Sequence, residues 1–307
     1  MIDISLLYCG FESDSVPHRY GRRIGRRPCS AGRPMKLAHR AAERRPVVVW
    51  TITRTCNLRC QHCYSDSQAV RYPDELTTQE AKAVIDDLAG FNVPVVLLSG
   101  GEPLLRPDLF ELIEYAHDRG LRVVVSTNGT LITEQVARRL RQLDVSYVGI
   151  SLDSAEPAVH DEFRGVRGAF YSTMEGFRRL RGLGQKVGLR LTLTRLTFAD
   201  LPRIFELIEA EQIDRACFYH LVPSGRGREL VELTPAESRQ AVSTIMRYTR
   251  ELHRRGRPVE VLTVDNHCDG PFVYLQMLAE QNPRAGEVYE LLRRNGGALY
   301  SSGVGIA

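Results

Sequence analysis

The sequence predicts an α/β protein whose strands run parallel. From Pro46 onward, short apolar runs rich in β-branched residues alternate with longer segments of helical periodicity, and this alternation repeats six times. Parallel strands need crossover connections, which are usually helices, so a strand-helix repeat indicates a parallel sheet. Six units fit either an open doubly wound sheet or a curved partial barrel. In both folds ligands bind at the carboxyl ends of the strands.

The predicted strands are the apolar runs themselves. In chain order they cover residues 47–52, 95–98, 121–126, 145–152, 187–194 and 216–222, with a seventh apolar run at 259–264. Thr77 and Glu80 match a capping box that opens a helix reaching residue 88. Asp108 and Thr133 are the predicted N-caps of the two helices that follow. Further helical patterns cover residues 173–183, 201–211 and 235–255, before a helical tail that ends near residue 295.

Composition is that of a soluble globular protein, with 43% apolar and 25% charged residues. The chain has no uncharged apolar run of about 18 residues, and its N-terminus lacks the order of a signal peptide. We therefore expect a cytoplasmic protein without a membrane partner. Seven cysteines, three of them within eight residues, are too few and too clustered for a disulfide scaffold.

Positive charge is concentrated in the first 46 residues, which hold ten arginines or lysines against four acidic residues. Arginine pairs bidentately with phosphate and with carboxylate, so this segment could bind nucleic acid or a polyanionic small molecule. A solvated arm that orders only in part explains the same composition. The composition leaves these alternatives open.

Three cysteines lie on one short loop directly after the first predicted strand: Cys56, Cys60 and Cys63. Spacings of four and three residues suit three corners of a cubane iron-sulfur cluster and leave its fourth iron without a protein ligand. An open iron is a position where a substrate or cofactor can bind. Zinc is the alternative, with His62 or a distant residue as fourth ligand. Structural zinc sites usually use two separate C-x-x-C pairs, and this chain has no second pair.

Glycines and polar residues follow the later strands, where ligands gather in both candidate folds. The glycine pair at 100–101 lets a ligand approach the backbone closely, although a plain turn is the alternative. Ser126 and Asn128 end the third strand and suit ribose hydroxyls, but Asn-Gly is also a turn sequence. Ser151 ends the fourth strand, and the Arg164 beyond it could clamp a carboxylate or lie on the surface.

Together these segments resemble the radical S-adenosylmethionine (SAM) superfamily over residues 46–225. The cysteine triplet is its most specific signature, and Gly-Gly-Glu-Pro at the second strand is the expected companion. The resemblance implies a partial (β/α)6 barrel, a 4Fe-4S cluster on Cys56, Cys60 and Cys63, and SAM on the open iron. The residues implied for SAM are Gly100, Gly101, Glu102 and Pro103 at its amino group, Ser126 and Asn128 near its ribose, Ser151, and Arg164 at its carboxylate.

The resemblance also implies a reaction. In this family an electron from the reduced cluster breaks the sulfonium bond of SAM, giving methionine and a 5′-deoxyadenosyl radical that takes hydrogen from an unactivated carbon. An electron donor of the flavodoxin or ferredoxin type is therefore implied. The substrate is expected over the same end of the barrel, since the protein must orient it beside the cofactor.

Three further stretches, with the basic leader, resemble the tetrapyrrole-tailoring branch of this superfamily: residues 218–227, 262–267, and 295–297 with 302–306. This resemblance implies removal of acetate side chains from 12,18-didecarboxysiroheme, which gives iron-coproporphyrin III in heme biosynthesis. The implied partner is thus a carboxylate-rich iron tetrapyrrole, not a nucleic acid. Tyr219, His220 and His267 are candidate substrate residues, and each of them also fits a structural role.

Three other functions stay open on the sequence. The same motifs fit an enzyme of heme d1 biosynthesis that removes propionates from the same substrate. A radical SAM maturase of peptides shares the core but would need a peptide-docking module, for which a 46-residue polar leader is too short. A non-enzymatic zinc module with a nucleic-acid-binding arm is the third.

We predict three regions: a basic N-terminal segment over 1–46, the radical SAM core over 47–225, and a substrate-side extension over 226–307. Relatives in the tetrapyrrole branch usually carry a cysteine-rich C-terminal extension that binds an auxiliary iron-sulfur cluster. This chain ends before such a segment. We therefore expect a truncated extension, with any second 4Fe-4S cluster belonging to the missing part.

Overall fold

Eight strands form one sheet in the computed structural model, which describes residues 1–13 and 45–294. In chain order they are β1 (Ile2–Asp3), β2 (Val48–Thr51), β3 (Val95–Ser99), β4 (Arg122–Thr127), β5 (Tyr147–Ser151), β6 (Val187–Leu193), β7 (Arg215–His220) and β8 (Glu260–Val264). Their spatial order is β1-β8-β7-β6-β5-β4-β3-β2, and all neighbours from β2 to β8 pair in parallel. The sheet curls into a half-barrel, which confirms the barrel that the resemblance implied.

Ten helices accompany the sheet in the described ranges. They are α1 (Ile4–Cys9), α2 (Thr78–Gly90), α3 (Leu109–Asp118), α4 (Glu134–Gln142), α5 (Pro157–Arg164), α6 (Ala169–Gly182), α7 (Leu201–Ala210), α8 (Pro235–Arg254), α9 (Asp269–Ala279) and α10 (Ala285–Arg294). Short 3-10 turns cover Pro103–Leu105, Phe198–Asp200 and Gly225–Glu229. Within the same ranges, none of the helices combines the length and the apolar character needed to cross a membrane.

Side-chain caps explain where several helices begin. The capping box of Thr77 and Glu80 is present at the start of α2, and the Thr133 side chain caps α4. Asp108 occupies the N-cap position of α3 but makes no capping hydrogen bond. Its carboxylate instead accepts a hydrogen bond from Nε of Arg106 at 2.7 Å. The predicted side-chain cap at Asp108 was therefore wrong, because the neighbouring guanidinium engages the carboxylate.

The helix predicted from residue 173 begins earlier, at Ala169. The two carboxylate oxygens of Asp161 accept hydrogen bonds from the amides of Gly168 at 2.5 Å and Phe170 at 2.8 Å. Asp161 belongs to α5, a helix that the sequence analysis did not assign. A carboxylate from one helix thus satisfies free amides at the start of the next helix.

The two faces of the sheet have different environments. On β4, Val123 and Val125 are fully buried in the apolar core that the helices cover. Ser126 lies on the alternate face, inside the half-barrel, where it lines a cavity. Because strand side chains alternate in direction, one face can bury apolar residues while the other stays open to a ligand.

The first residues do not form a solvated arm, which was one of the alternatives left open for the basic segment. Strand β1 pairs antiparallel with β8, and Ile2, Ile4 and Leu7 are fully buried. The carboxylate of Asp3 caps α1 by accepting from the amide of Leu6 at 2.9 Å. The segment over residues 1–46 was defined by its charge, so it included these apolar residues together with the basic stretch that follows them. The remainder of that stretch, residues 14–44, and the tail at 295–307 lie outside the described residues.

We expect Leu7→Ala to lower the free energy of unfolding by about 2–5 kcal/mol, the usual cost of truncating a fully buried leucine. Anaerobic chemical denaturation measures the effect. Leu275→Ala is the matched control, because the Leu275 side chain is 59% exposed and should contribute little. Equal stabilities of the two variants would contradict the placement of α1 in the core.

Candidate active site

A cavity of about 310 Å³ opens at the carboxyl ends of the parallel strands. The three cysteines of the loop after β2 line it, and so do residues predicted on five other elements. The predicted lining residues are Cys56, Cys60, Cys63, Gly100, Gly101, Ser126, Asn128, Ser151, Arg164, Tyr219 and His220. The other predicted site residues, Glu102, Pro103 and His267, do not line it.

The cysteine loop is attached to the end of α5 through backbone hydrogen bonds. The amide of Arg59 donates to the carbonyl of Arg164 at 3.0 Å, and the amide of Gln61 donates to the carbonyl of Phe163 at 2.9 Å. The imidazole of His62 stacks on the Phe163 ring, with centroids 4.6 Å apart. Burial lowers the pKa of His62 to about 4, so the ring is neutral.

A second attachment comes from the segment after β7. The Arg226 guanidinium donates from Nε to the carbonyl of Cys60 at 2.9 Å and from Nη1 to the carbonyl of Ser67 at 3.1 Å. The Arg226 amide donates to the carbonyl of Cys63 at 3.0 Å. Gly225 precedes it with φ +54°, and a Cβ there would lie 2.3 Å from the Cys63 carbonyl oxygen. The sequence analysis quoted this segment but gave neither residue a role.

The thiols of Cys56 and Cys60 are buried, and neither is in a disulfide. Burial raises the pKa of Cys56 to about 11 and also raises the pKa of Cys60. Each sulfur accepts a hydrogen bond: Cys56 from the amide of Leu58 at 3.4 Å, and Cys60 from Nη1 of Arg164 at 3.5 Å. These donors favour the thiolate form, which is the form that ligates metals.

For Cys63, hydrogen bonding outweighs burial, so its pKa is lowered instead of raised. Burial would raise its pKa, but hydrogen bonds from the Ser65 hydroxyl and the Ser67 amide hold that pKa below the ordinary value. The Ser67 amide lies 3.4 Å from the sulfur. Among the described residues, no three or more His, Cys, Asp or Glu side chains converge on one point where they could hold a single metal ion, whereas a cubane cluster binds each thiolate to a different iron. The three thiols instead border the cavity from different points of one loop.

The glycine pair after β3 accommodates the backbone that leads into the cysteine loop. A Cβ on Gly100 would lie 2.2 Å from the Thr53 carbonyl oxygen, and a Cβ on Gly101 would lie 2.3 Å from that of Thr55. The Gly101 amide donates to the Thr53 carbonyl at 2.7 Å. The sequence analysis explained these glycines by close approach of a ligand. In the structure the close approach is made by the chain itself, while both glycines still line the cavity.

Glu102 lies behind the cavity wall and is fully buried. Its carboxylate accepts from the Thr127 hydroxyl at 2.7 Å, the Asn128 amide at 2.8 Å and the Leu104 amide at 3.1 Å. Burial raises its pKa. The carboxylate thus joins the ends of β3 and β4, and Pro103 begins the 3-10 turn that leaves the site.

Asn128 links β4 to the cysteine loop. Its Nδ2 donates to Oδ1 of Asn57 at 2.9 Å, and its Oδ1 accepts from the amide of Thr130 at 2.9 Å. Nδ2 of Asn57 in turn donates to the Thr130 hydroxyl at 2.8 Å. Asn57 lies between two of the cysteines, so this network fixes the loop from a third side.

Arg164 carries its own buried counter-charge. Its Nη2 lies 2.5 Å from Oδ2 of Asp153, and both side chains are almost fully buried. Burial would raise the pKa of Asp153, but the guanidinium holds that pKa below its ordinary value. Nε of Arg164 is buried and has no hydrogen-bond partner among the residues that the structure describes. The guanidinium that was predicted to bind a ligand carboxylate is therefore already paired with Asp153. Among the described residues, its Nε is the donor that is left without a partner.

The wall formed by β6 to β8 carries the candidate substrate residues. Nε2 of His220 lies 3.0 Å from Oδ2 of the buried Asp269, so a carboxylate orients this imidazole. The Tyr219 ring lies beneath the guanidinium of Arg190, 4.7 Å from its Cζ. His267 follows β8 but stays outside the cavity lining.

Three charged lining residues had no role predicted from the sequence: Arg226, described above, Arg190 on β6 and Asp265 after β8. A signal for Arg190 exists, because it interrupts the apolar run Leu189-Arg190-Leu191 on a predicted strand. Asp265 has φ +66°, a conformation that is uncommon outside glycine and is enriched at functional sites.

A family model described as the radical SAM superfamily matches residues 50–208. Fe-coproporphyrin III synthase of Methanosarcina barkeri is 50% identical over 308 residues, which cover 100% of this chain and 75% of that protein. Pre-heme d1 synthase of Dinoroseobacter shibae is 39% identical over 269 residues, which cover 86% of this chain and 65% of that protein.

Solved structures share the fold. Streptococcus suis SuiB bound to S-adenosylmethionine matches with a TM-score of 0.63 at 16% identity, over 73% of this chain and 51% of that chain. At this identity the likeness concerns the fold alone. The family model covers more than half of the chain, and it includes the cysteine loop and the glycine pair. The chain belongs to the radical SAM superfamily.

Proposed function

We propose that this chain is a radical SAM enzyme of heme biosynthesis that removes acetate side chains from 12,18-didecarboxysiroheme, giving iron-coproporphyrin III. The observation that carries the proposal is the 50% identity with Fe-coproporphyrin III synthase over the whole chain. The cavity supports it, because cationic and aromatic residues face the three thiols across it. Such a wall suits a flat macrocycle with a rim of carboxylates.

In this proposal Cys56, Cys60 and Cys63 hold a 4Fe-4S cluster. The donor set fits, because three free thiols border one cavity and their sulfurs accept hydrogen bonds, as cluster-bound thiolates do. Three protein ligands leave one iron for SAM, beside Ser126 and Ser151. When bound, the cluster and SAM supply a radical that takes hydrogen from an unactivated carbon.

Arg164 then has two tasks. Between Asp153 and the sulfur of Cys60 it holds this ligand in place, which is a positioning role. Its free Nε is the donor that we assign to the carboxylate of SAM. Leaving a buried donor without a hydrogen bond costs free energy. A ligand that accepts this hydrogen bond therefore binds more tightly.

His220 is the residue that we assign to the macrocycle. Because Asp269 engages Nε2, the ring is held in one orientation and Nδ1 is the nitrogen left for the substrate. There it acts as a proton carrier or as a ligand of the tetrapyrrole iron. Tyr219 packs beside it at the end of β7.

The remaining partners follow from the reaction. We propose a flavodoxin or ferredoxin as electron donor and the cytoplasm as location, where thiols stay reduced. A second 4Fe-4S cluster in a further C-terminal segment stays a prediction, and so do the region boundaries at residues 46 and 225.

Removal of propionates from the same substrate is the second candidate function. The 39% identity with pre-heme d1 synthase over 86% of this chain favours it. Both reactions use the same cavity and the same cofactors, so the products distinguish them.

Anaerobic incubation with 12,18-didecarboxysiroheme, SAM and dithionite, followed by mass spectrometry, tests the proposal. We expect loss of acetate groups and formation of 5′-deoxyadenosine. Loss of propionates instead would establish the second candidate. Formation of 5′-deoxyadenosine with an unchanged tetrapyrrole would contradict both.

Cys60→Ala should abolish SAM cleavage, because the cluster loses one of three ligands. The readouts are iron content after anaerobic reconstitution and 5′-deoxyadenosine formation. Cys268→Ala is the matched control, since that cysteine is exposed and lies outside the cavity lining. Wild-type cleavage by Cys60→Ala would overturn the ligand assignment.

Gly101→Ala should displace the cysteine loop, because the new Cβ would meet the Thr55 carbonyl at 2.3 Å. Overpacking of this kind costs about 1–3 kcal/mol. We expect reduced iron content and slower SAM cleavage. Gly286→Ala is the control, because among the described residues no atom beyond its own helix turn lies within 4 Å of the added Cβ. Equal iron content in the two variants would show that the close contact is unimportant.

A further inference from the structure

Arg190 is a cation inside the half-barrel that forms no ion pair with any described residue, although the carboxylate of Asp265 in the same cavity acts on it electrostatically from a longer distance. Its Nη1 donates to the hydroxyl of Ser126, and its guanidinium lies over the Tyr219 ring. In the part of the chain that the structure describes, no carboxylate oxygen lies within ion-pair distance of it. A charge withdrawn from bulk water is costly unless an opposite charge accompanies it. The cavity therefore offers this cation to an anionic group of a ligand.

The other arginines of the cavity are already engaged. Arg164 forms an ion pair with Asp153 at 2.5 Å, and Arg226 donates to the carbonyls of Cys60 and Ser67. Among the described residues, Arg190 is thus the lining arginine that has neither an ion pair nor hydrogen bonds to backbone carbonyls. This difference in pairing indicates that Arg190 is the arginine that binds a carboxylate of the ligand.

The position of Arg190 narrows the choice of ligand. In the sheet register it lies opposite Ser151 of β5, and its hydrogen bond reaches Ser126 of β4. Both serines belong to the set proposed for SAM. On its other side Arg190 contacts Tyr219 of β7, on the wall proposed for the macrocycle. A carboxylate bound to Arg190 would lie at the boundary between SAM and substrate.

We propose that Arg190 binds the carboxylate of the acetate side chain that the enzyme removes. This inference rests on the proposed function. Hydrogen abstraction requires the reacting carbon close to the radical source, and bound groups react fastest at near-contact distances. A planar guanidinium binds a carboxylate bidentately, and the Tyr219 ring beneath Arg190 restricts the movement of that guanidinium. Arg190 thus selects the reacting side chain and orients it beside SAM.

Anaerobic absorbance titrations test the assignment with two tetrapyrroles, 12,18-didecarboxysiroheme and iron-coproporphyrin III. The first carries the acetates, whereas the second has lost them and keeps its propionates. For Arg190→Gln we expect about 10- to 100-fold weaker binding of the first, the size of one lost charge-assisted interaction. Binding of iron-coproporphyrin III should stay within about twofold of wild type.

Two further variants frame the result. Arg190→Lys keeps the charge but not the fork, so we expect an intermediate loss for 12,18-didecarboxysiroheme alone. It also keeps the test informative if Arg190→Gln does not fold. Arg203→Gln is the matched control, because Arg203 is 61% exposed and remote from the cavity lining. It should bind all ligands as wild type does.

Each other outcome overturns the proposal. Equal weakening for both tetrapyrroles would assign Arg190 to a propionate, and weaker SAM binding would assign it to SAM. Unchanged affinities would show that it binds no carboxylate. The wild-type protein separates this inference from the proposed function: failure of wild type to remove acetates refutes the function, whereas acetate removal without a selective Arg190 effect refutes only the inference.

Discussion

Close backbone packing around the cysteine loop is the constraint on which the site depends. Gly101 lets the carbonyl of Thr55 approach from the side of β3, and Gly225 does the same for the carbonyl of Cys63 from the segment after β7. Hydrogen bonds from Arg226 and from the end of α5 complete the attachment. A loop held through its carbonyls and amides leaves its thiols free to face the cavity, which is what ligation of a cluster requires.

Charge is distributed unevenly between the two walls of the half-barrel. On the side of β5, the Arg164 cation is matched by Asp153 and also supports a cysteine sulfur. On the side of β6 to β8, Arg190 forms no ion pair with a described residue, His220 is oriented by a buried carboxylate, and the Asp265 carboxylate also lines the cavity. In the proposed function the first wall holds the cofactor, whereas Arg190 on the second wall receives a carboxylate of the substrate. Arg190 connects the two proposed regions, because it pairs in register with Ser151 and donates a hydrogen bond to Ser126.

Local sequence signals predicted most elements of the fold and the core of the site. The cysteine spacing and the capping box of α2 depend on residues a few positions apart, so the sequence alone revealed them. Contacts between residues that are far apart in the sequence could not be predicted from such local patterns. The docking of α1 beside β8 joins the two ends of the described chain, and the position of Arg190 beside Tyr219 depends on sheet register. The capping of α6 by Asp161 and the role of the glycine pair likewise needed the three-dimensional arrangement.

We propose that the cysteine loop holds a cluster with one iron open toward SAM. Electron paramagnetic resonance of the reconstituted, dithionite-reduced protein tests this arrangement, with spectra recorded before and after SAM is added. We expect a 4Fe-4S signal whose g-values change on addition of SAM, because SAM binds the iron that lacks a protein ligand. A 4Fe-4S spectrum that SAM leaves unchanged, or the absence of any such signal, would contradict it.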